Sequence, residues 1–261
     1  MPSPEAERPG KIVTWFLPSL GIAAEAEGAV AVVIDVLRAS TTIVTALAHG
    51  ADWVRPCLEV DEASAERSSR PGSLAGGERG GLPIAGFDLG NSPGDYSEAK
   101  VAGKGIVFTT TNGTRALHAV RGAREIVIGA FVNLTALANR LAEERSILLV
   151  CAGTGGRVTR EDVLFAGALA HRLECRDRER GGAERELDDM TRIARDAWVG
   201  VDGPSEGRLS DERLVDELRR TTGGRNLARL GLDRDLAQVA RTDAFDLVPR
   251  FDAASGMLRR D

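Results

Sequence analysis

The chain has 261 residues, 43% hydrophobic and 28% charged, with a net charge of −5 and a pI near 5.4. That length buries a sizeable core, and the acidic balance gives no reason to expect nucleic acid or an anionic membrane as partner. Three cysteines with no C-x-x-C spacing argue against a disulfide framework or a zinc site and favour a reducing cytoplasm.

Residues 1–10 hold charges and prolines with no apolar signal core, and read as a tail. Residues 12–17 have the composition of an edge strand. Residues 29–34, A-V-A-V-V-I, form an apolar, β-branched run typical of a strand buried on both faces. Asp35 ends that run, and Arg38, Ser40, Thr41 and Thr42 follow before a helix closed by Gly50. Residues 53–58 read as a strand and 61–68 as a short helix. Residues 76–93, G-G-E-R-G-G-L-P-I-A-G-F-D-L-G-N-S-P, are too rich in glycine and proline for a helix, yet hold Glu78, Arg79, Asp88 and Asn91. They read as a long, ordered functional loop.

A strand over 105–108 runs into Thr109, Thr110, Thr111, Asn112, Gly113, Thr114 and Arg115, and then a helix over 116–120. Hydroxyls and N–H groups where a strand meets a helix suit phosphate oxygens. An offset of 72 residues places Ile34 on Ile106 and Gly50 on Gly122. This echo predicts two β-α-β units with equivalent loops at one sheet edge. A strand follows over 126–131, then a helix from 134 to 144 and a buried strand over 147–150 ending in Cys151, Gly153 and Thr154. A helix opens near Thr159 with Glu161 and Asp162 in its first turn. The charge run 174–186 reads as a solvated helix end and linker. Helices are expected over 187–199 and 209–218 (capped by Ser210); residues 221–227 read as a short polar loop opening a helix to 230, and 232–242 as one more helix or part of one, then a last strand over 245–250 and a tail. His49, His118 and His171 fall on helices without partner spacing, and read as structural. The fold class is therefore α/β: a layered α/β/α arrangement on a mostly parallel or mixed sheet. Residues 11–250 form one domain or two closely packed subdomains, with 1–10 and 251–261 as tails.

In open α/β sheets ligands bind beyond the C-terminal ends of the strands. There the sequence gathers Asp35, Arg38, a hydroxyl cluster and Cys151. With only Lys11, Lys100 and Lys104, no G-K-[ST] phosphate loop exists, and no dinucleotide G-x-G-x-x-G follows a strand. Anion-binding groups beside carboxylates point to metal-assisted chemistry on a small phosphorylated substrate. Two alternatives stand beside it. Cys151 and Arg157 have the C-x5-R spacing of cysteine-dependent phosphatases, and the same cluster would serve a non-catalytic binder of an anionic metabolite.

Together the runs V-I-D-V-L-R-A-S-T-T, G-E-R-G-G-L-P-I-A-G-F-D-L-G-N-S-P, T-T-T-N-G-T-R-A, C-A-G-T, G-G-R-N-L-A-R-L-G and D-A-F-D-L-V-P resemble the magnesium-dependent 2-phosphosulfolactate phosphatase family. The resemblance spans residues 30–249 and is loosest between 175 and 210. It implies hydrolysis of (2R)-2-phospho-3-sulfolactate to 3-sulfolactate and phosphate with Mg2+, a step of coenzyme M biosynthesis in methanogens, or of a related phosphorylated hydroxy acid. A homodimer is compatible with it. Asp35 is the first expected Mg2+ ligand, with Glu78 and Asp162 after it. Asp35 is equally open as a covalent nucleophile. Arg38 and Arg79 are expected to clamp the anionic groups, which makes Asp35, Arg38, Glu78 and Arg79 the expected catalytic set. Substrate binding is expected from Ser40, Thr41, Asn91, Thr109, Thr110, Thr111, Asn112, Gly113, Thr114, Arg115, Cys151, Gly153, Thr154 and Arg225.

Overall fold

A computed structural model describes residues 10–202 and 209–260. The expected N-terminal tail thus falls almost wholly outside the described residues. In chain order the elements are β1 (Lys11–Trp15), the single turn α1 (Ala23–Ala26), β2 (Val30–Ile34), α2 (Ala39–Ala48), β3 (Trp53–Cys57) and α3 (Val60–Ser68). Next come β4 (Leu74–Arg79), β5 (Leu82–Pro83), α4 (Glu98–Val101), β6 (Gly105–Thr109), α5 (Gly113–Ala119), β7 (Glu125–Gly129), α6 (Leu134–Leu141) and β8 (Ser146–Cys151). The remainder is α7 (Arg160–Glu179), β9 (Glu186–Leu187), α8 (Asp189–Asp202), α9 (Asp211–Arg220), α10 (Thr222–Arg229), α11 (Arg234–Val239), β10 (Pro249–Asp252) and β11 (Met257–Arg260).

These strands join one mixed sheet in the order β5-β4-β6-β3-β11-β10-β7-β2-β8-β1-β9. Two parallel blocks, β4-β6-β3 and β7-β2-β8-β1-β9, flank the β10–β11 hairpin. Every step from β3 through the hairpin to β7 is antiparallel, so the blocks run in opposite senses. The two expected β-α-β units are present as β2-α2-β3 and β6-α5-β7. Their strands are exchanged: β2 lies beside β7 and β3 beside β6. Each unit therefore spans both blocks.

Strand alternation splits the core into layers. Val30, Val32 and Ile34 of β2 face α6–α9 and α11, in a cluster centred on Phe131, Leu137, Phe165 and Trp198. Ala31 and Val33 face the other way, onto α2 and α5. Ile106 and Phe108 of β6 enclose that same middle layer, while Val107 points outward to Ala63 of α3. From Ala39 to Leu47, α2 is buried on every side, as its lack of charged residues demands. The sheet coils around α2 and α5, and the C-terminal ends of both parallel blocks open on one cleft.

Several elements differ from expectation. β1 is interior, flanked by β8 and β9. Residues 76–83 are not loop: they hold most of β4 and the short β5. The charge run does hold a helix end and linker, as expected: α7 stops at Glu179, with Arg176 and Arg178 suiting its C-terminal end. Leu187 belongs to β9, and α8 starts at Asp189. Of the expected tail 251–261, the described residues 251–260 are not a tail: Phe251 and Leu258 are core residues of the central hairpin, and residue 261 lies outside the described residues. Ser210 does cap α9, accepting from the Arg213 N–H at 3.4 Å.

Candidate active site

The cleft has a volume of about 440 Å³, within the ordinary span of small-ligand sites. Asp35, Leu37 and Arg38 line it from the end of β2, Glu78 and Gly81 from the β4–β5 turn, and Thr111 and Asn112 from the end of β6. Thr154 and Gly155 follow β8, and α10 contributes Gly223, Asn226 and Arg229.

Asp35 and Glu78 bring two buried carboxylates to the cleft, each 8% exposed. Glu78 is held rigidly. The Gly81 N–H donates to Oε2 at 2.6 Å and the Thr111 N–H to Oε1 at 2.8 Å. Asp35 is anchored through its backbone, whose N–H donates to Ser40 Oγ at 2.9 Å. Its Oδ1 accepts only a long bond, 3.3 Å, from the Ala39 N–H. Burial pushes the Asp35 carboxyl up to about 7; the Ala39 N–H and Arg38 oppose this, and Glu78 and Glu161 reinforce it. Gly113 makes the close packing here achievable: a Cβ at that position would lie 2.9 Å from Asp35 Oδ2 and 3.0 Å from the Ala39 Cβ. The starts of α2 and α5 therefore abut at the carboxylate.

Arg38 is 3% exposed and fully engaged. Nη1 donates to Asp235 Oδ2 at 2.7 Å and Ser92 Oγ at 3.0 Å, while Nη2 donates to Gly81 O at 2.7 Å. Ser92 Oγ also donates to Asp235 Oδ2 at 2.9 Å. This node ties the β2 loop to α11 and to the β4–β5 turn. Asp235 was not a sequence candidate. Only its helical position was visible, and its partner lies 197 residues away.

Asp162 does not line the cleft. Its Oδ1 accepts from the Val36 N–H (2.9 Å), and its Oδ2 from the Gly153 N–H (3.0 Å) and Thr159 Oγ1 (2.9 Å). It braces the loops after β2 and β8. Burial raises its carboxyl well above the usual range, with Asp35 and Glu161 adding to the effect and the Val36 and Gly153 N–H groups opposing it. Glu161 is another buried acid, raised chiefly by burial, and its Oε2 has no hydrogen-bond partner. Among the described residues, no three His, Cys, Asp or Glu side chains converge as a ready-made metal centre.

The other candidates divide. Asn91, Thr111, Asn112 and Thr154 line the cleft, and the buried Asn91 Oδ1 and Thr111 Oγ1 have no partner in the protein. Asn112 Oδ1 accepts from the Gly155 N–H at 3.2 Å, joining the β6 and β8 loops. Ser40, Thr41 and Thr114 are internal: their hydroxyls donate to Val33 O, Val36 O and Thr110 O. Thr109 accepts from Arg79, which also donates to Glu78 O and Leu58 O; Arg79 braces strand ends and is not among the lining residues. Thr110 lies behind the cleft with Gly113 in a small apolar void. Arg115 and Arg225 are exposed and outside the lining set. Arg225 bonds Arg220 O and Thr222 instead. Gly153 serves through its N–H alone.

Cys151 is fully buried in β8, and burial, then Asp162 and Glu161, push its thiol well above the ordinary range. Arg157 is exposed, and its backbone closes a turn with Thr154. The C-x5-R spacing is thus an accident of a strand followed by a turn. Among the described residues no helix is long and apolar enough to cross a membrane.

The strand ends of this mixed α/β sheet deliver carboxylates, hydroxyls and an arginine to one cleft, and membership of a family of phosphatase-type hydrolases makes it a hydrolase acting on a small anionic metabolite. The chain belongs to the 2-phosphosulfolactate phosphatase family, whose profile matches residues 17–254. It is 41% identical over 232 residues to a probable 2-phosphosulfolactate phosphatase of Symbiobacterium thermophilum, covering 88% of this chain and 94% of that one. Proteins of the same description from Deinococcus radiodurans (42% over 237 residues, 88% and 92% covered) and Thermotoga petrophila (40% over 220 residues, 84% and 87% covered) are similarly related.

Proposed function

We propose that this protein is a Mg2+-dependent phosphatase that hydrolyses 2-phospho-3-sulfolactate, or a closely related phosphorylated hydroxy acid, to the hydroxy acid and phosphate. The carrying observation is the pair Asp35 and Glu78: two buried carboxylates on one cleft, with the nearby Arg38 already paired to Asp235. Two such acids are costly without a cation of their own. A hard divalent ion suits them, since Mg2+ binds through one or two carboxylates, several waters and substrate phosphate oxygens. Asp35 and Glu78 would hold it. Held by Asp35 and Glu78, Mg2+ would supply Lewis-acid polarisation of the phosphoryl group and offset negative charge there.

The chain's own groups do the rest. Thr111 Oγ1, without a protein partner, is available to donate to a phosphate oxygen. Asn112 and Thr154 line the same wall. The N–H bonds to Glu78 fix its orientation in advance, which avoids reorganisation during the reaction. Asp162 and the Arg38–Asp235 node hold the loops that carry these groups.

Phosphate release from 2-phosphosulfolactate, with Mg2+ and then with excess EDTA, tests the reading. Release that requires Mg2+ and falls on the order of 10²-fold or more in Asp35→Asn is expected. Release unaffected by EDTA, or normal turnover in Asp35→Asn, overturns it.

A further inference from the structure

Arginine supply around the cleft is uneven. Arg38 is neutralised by Asp235 at 2.7 Å. Arg79, Arg115 and Arg225 are not lining residues. Arg229 is one: it ends α10, one helical turn after Asn226, so both side chains share the face that meets the cleft. Its Nη2 donates to Asn226 Oδ1. Among the described residues no carboxylate forms an ion pair with Arg229, whereas Arg219 and Arg220 of the preceding helix pair with Asp216 and Glu217. Arg229 is solvent-exposed, while Asp35 and Glu78 are buried. The cleft thus grades from two acids at its floor to an uncompensated guanidinium at its mouth.

A phosphorylated hydroxy acid matches that gradient. Its phosphate needs the cation site and the hydroxyl donors, and any further acid group needs a second positive partner. We infer that Arg229 is the specificity-determining residue that binds a non-phosphate acid group of the substrate, its carboxylate or its sulfonate. This rests on the phosphatase reading for the other end of the ligand. A guanidinium suits the task because its planar fork meets a carboxylate or sulfonate with two parallel N–H bonds. Asn226, bonded to Arg229, orients it.

Three substrates form a graded series: 2-phosphosulfolactate, 2-phospholactate, which lacks the sulfonate, and isopropyl phosphate, which also replaces the carboxylate by a methyl. In Arg229→Met the ratio of kcat/KM between a member and the next one, which has one acid group fewer, should fall tenfold or more at one of the two steps, mainly through KM. Arg229→Lys should recover part of the loss. A ratio that stays within twofold of wild type at both steps overturns the inference. Calorimetric binding of the product, 3-sulfolactate, supplies a readout that needs no turnover. Affinity at least tenfold weaker in Arg229→Met supports the role of Arg229 even if no substrate is hydrolysed, in which case only the phosphatase reading falls. Equal affinity in both proteins counts against Arg229 whatever the kinetics.

Discussion

Replacing Asp235 by Ala removes the counter-charge of Arg38 and leaves the guanidinium in place. Both side chains are buried, 3% and 6% exposed, so the pair is made away from bulk solvent. Breaking a buried pair from one side costs about 3–5 kcal/mol. Arg38 keeps its 2.7 Å bond to Gly81 O and its contact with Ser92 Oγ, which holds the expected loss near the lower end, about 3 kcal/mol. Asp235→Asn retains an acceptor of the same shape and loses only the charge, so about 2 kcal/mol is expected. Urea unfolding followed by tryptophan fluorescence gives both values from the midpoint and slope. A loss under about 1 kcal/mol at unchanged slope would mean that the pair behaves as a solvated surface bridge, and the burial argument would fail. Because Arg38 lines the cleft, turnover should fall with stability in Asp235→Ala.

Two further expectations concern titration and thiol chemistry. With metal removed, folded Asp35 keeps its proton to about pH 7, whereas the unfolded chain releases it near 3.8. Between those values the folded state binds more protons, so stability falls as pH rises from about 4 to about 7, by on the order of a few kcal/mol, and then levels. Thermal unfolding in EDTA across pH 4–8 should show this decline in wild type and a flatter profile in Asp35→Asn; parallel profiles would contradict the burial-driven shift. Cys151 should resist iodoacetamide at neutral pH in the folded protein, and Cys151→Ala should retain phosphate release. Loss of activity on alkylation at Cys151, read by peptide mass, would restore the thiol mechanism.

The parallel strands were legible because burial on both faces leaves an unbroken apolar run, as in Val30–Ile34 and Ser146–Cys151. Asp35 and Thr111 were legible as polar residues at or near strand ends, and Glu78 as a carboxylate in an expected loop. The β4 segment was misread because Gly76 and Gly77 looked like loop residues. Their small size reports packing: a Cβ on Gly77 would sit 1.9 Å from Thr109 O, and one on Gly76 2.2 Å from Tyr96 Oη. The β10–β11 hairpin escaped notice because Arg250, Arg259 and Arg260 interrupt two short strands whose core contribution is Phe251, Met257 and Leu258. Arg225 was a sequence candidate and Arg229 was not, because a loop reading of residues 221–227 gives no helical phase. Once α10 is drawn, Gly223, Asn226, Leu227 and Leu230 fall on the cleft side with Arg229.

The central hairpin bears on how the protein is made. Residues 249–260 leave the ribosome after every other strand, yet they occupy the seam between the two blocks. Leu258 pairs with Val54, across 204 positions of chain. Until that seam is filled, β3 and β7 each present an open hydrogen-bonding edge to the cell. Nascent chains therefore carry two unpaired edges from the synthesis of β7 until that of the hairpin, a period in which chaperone capture or edge-to-edge aggregation competes with folding.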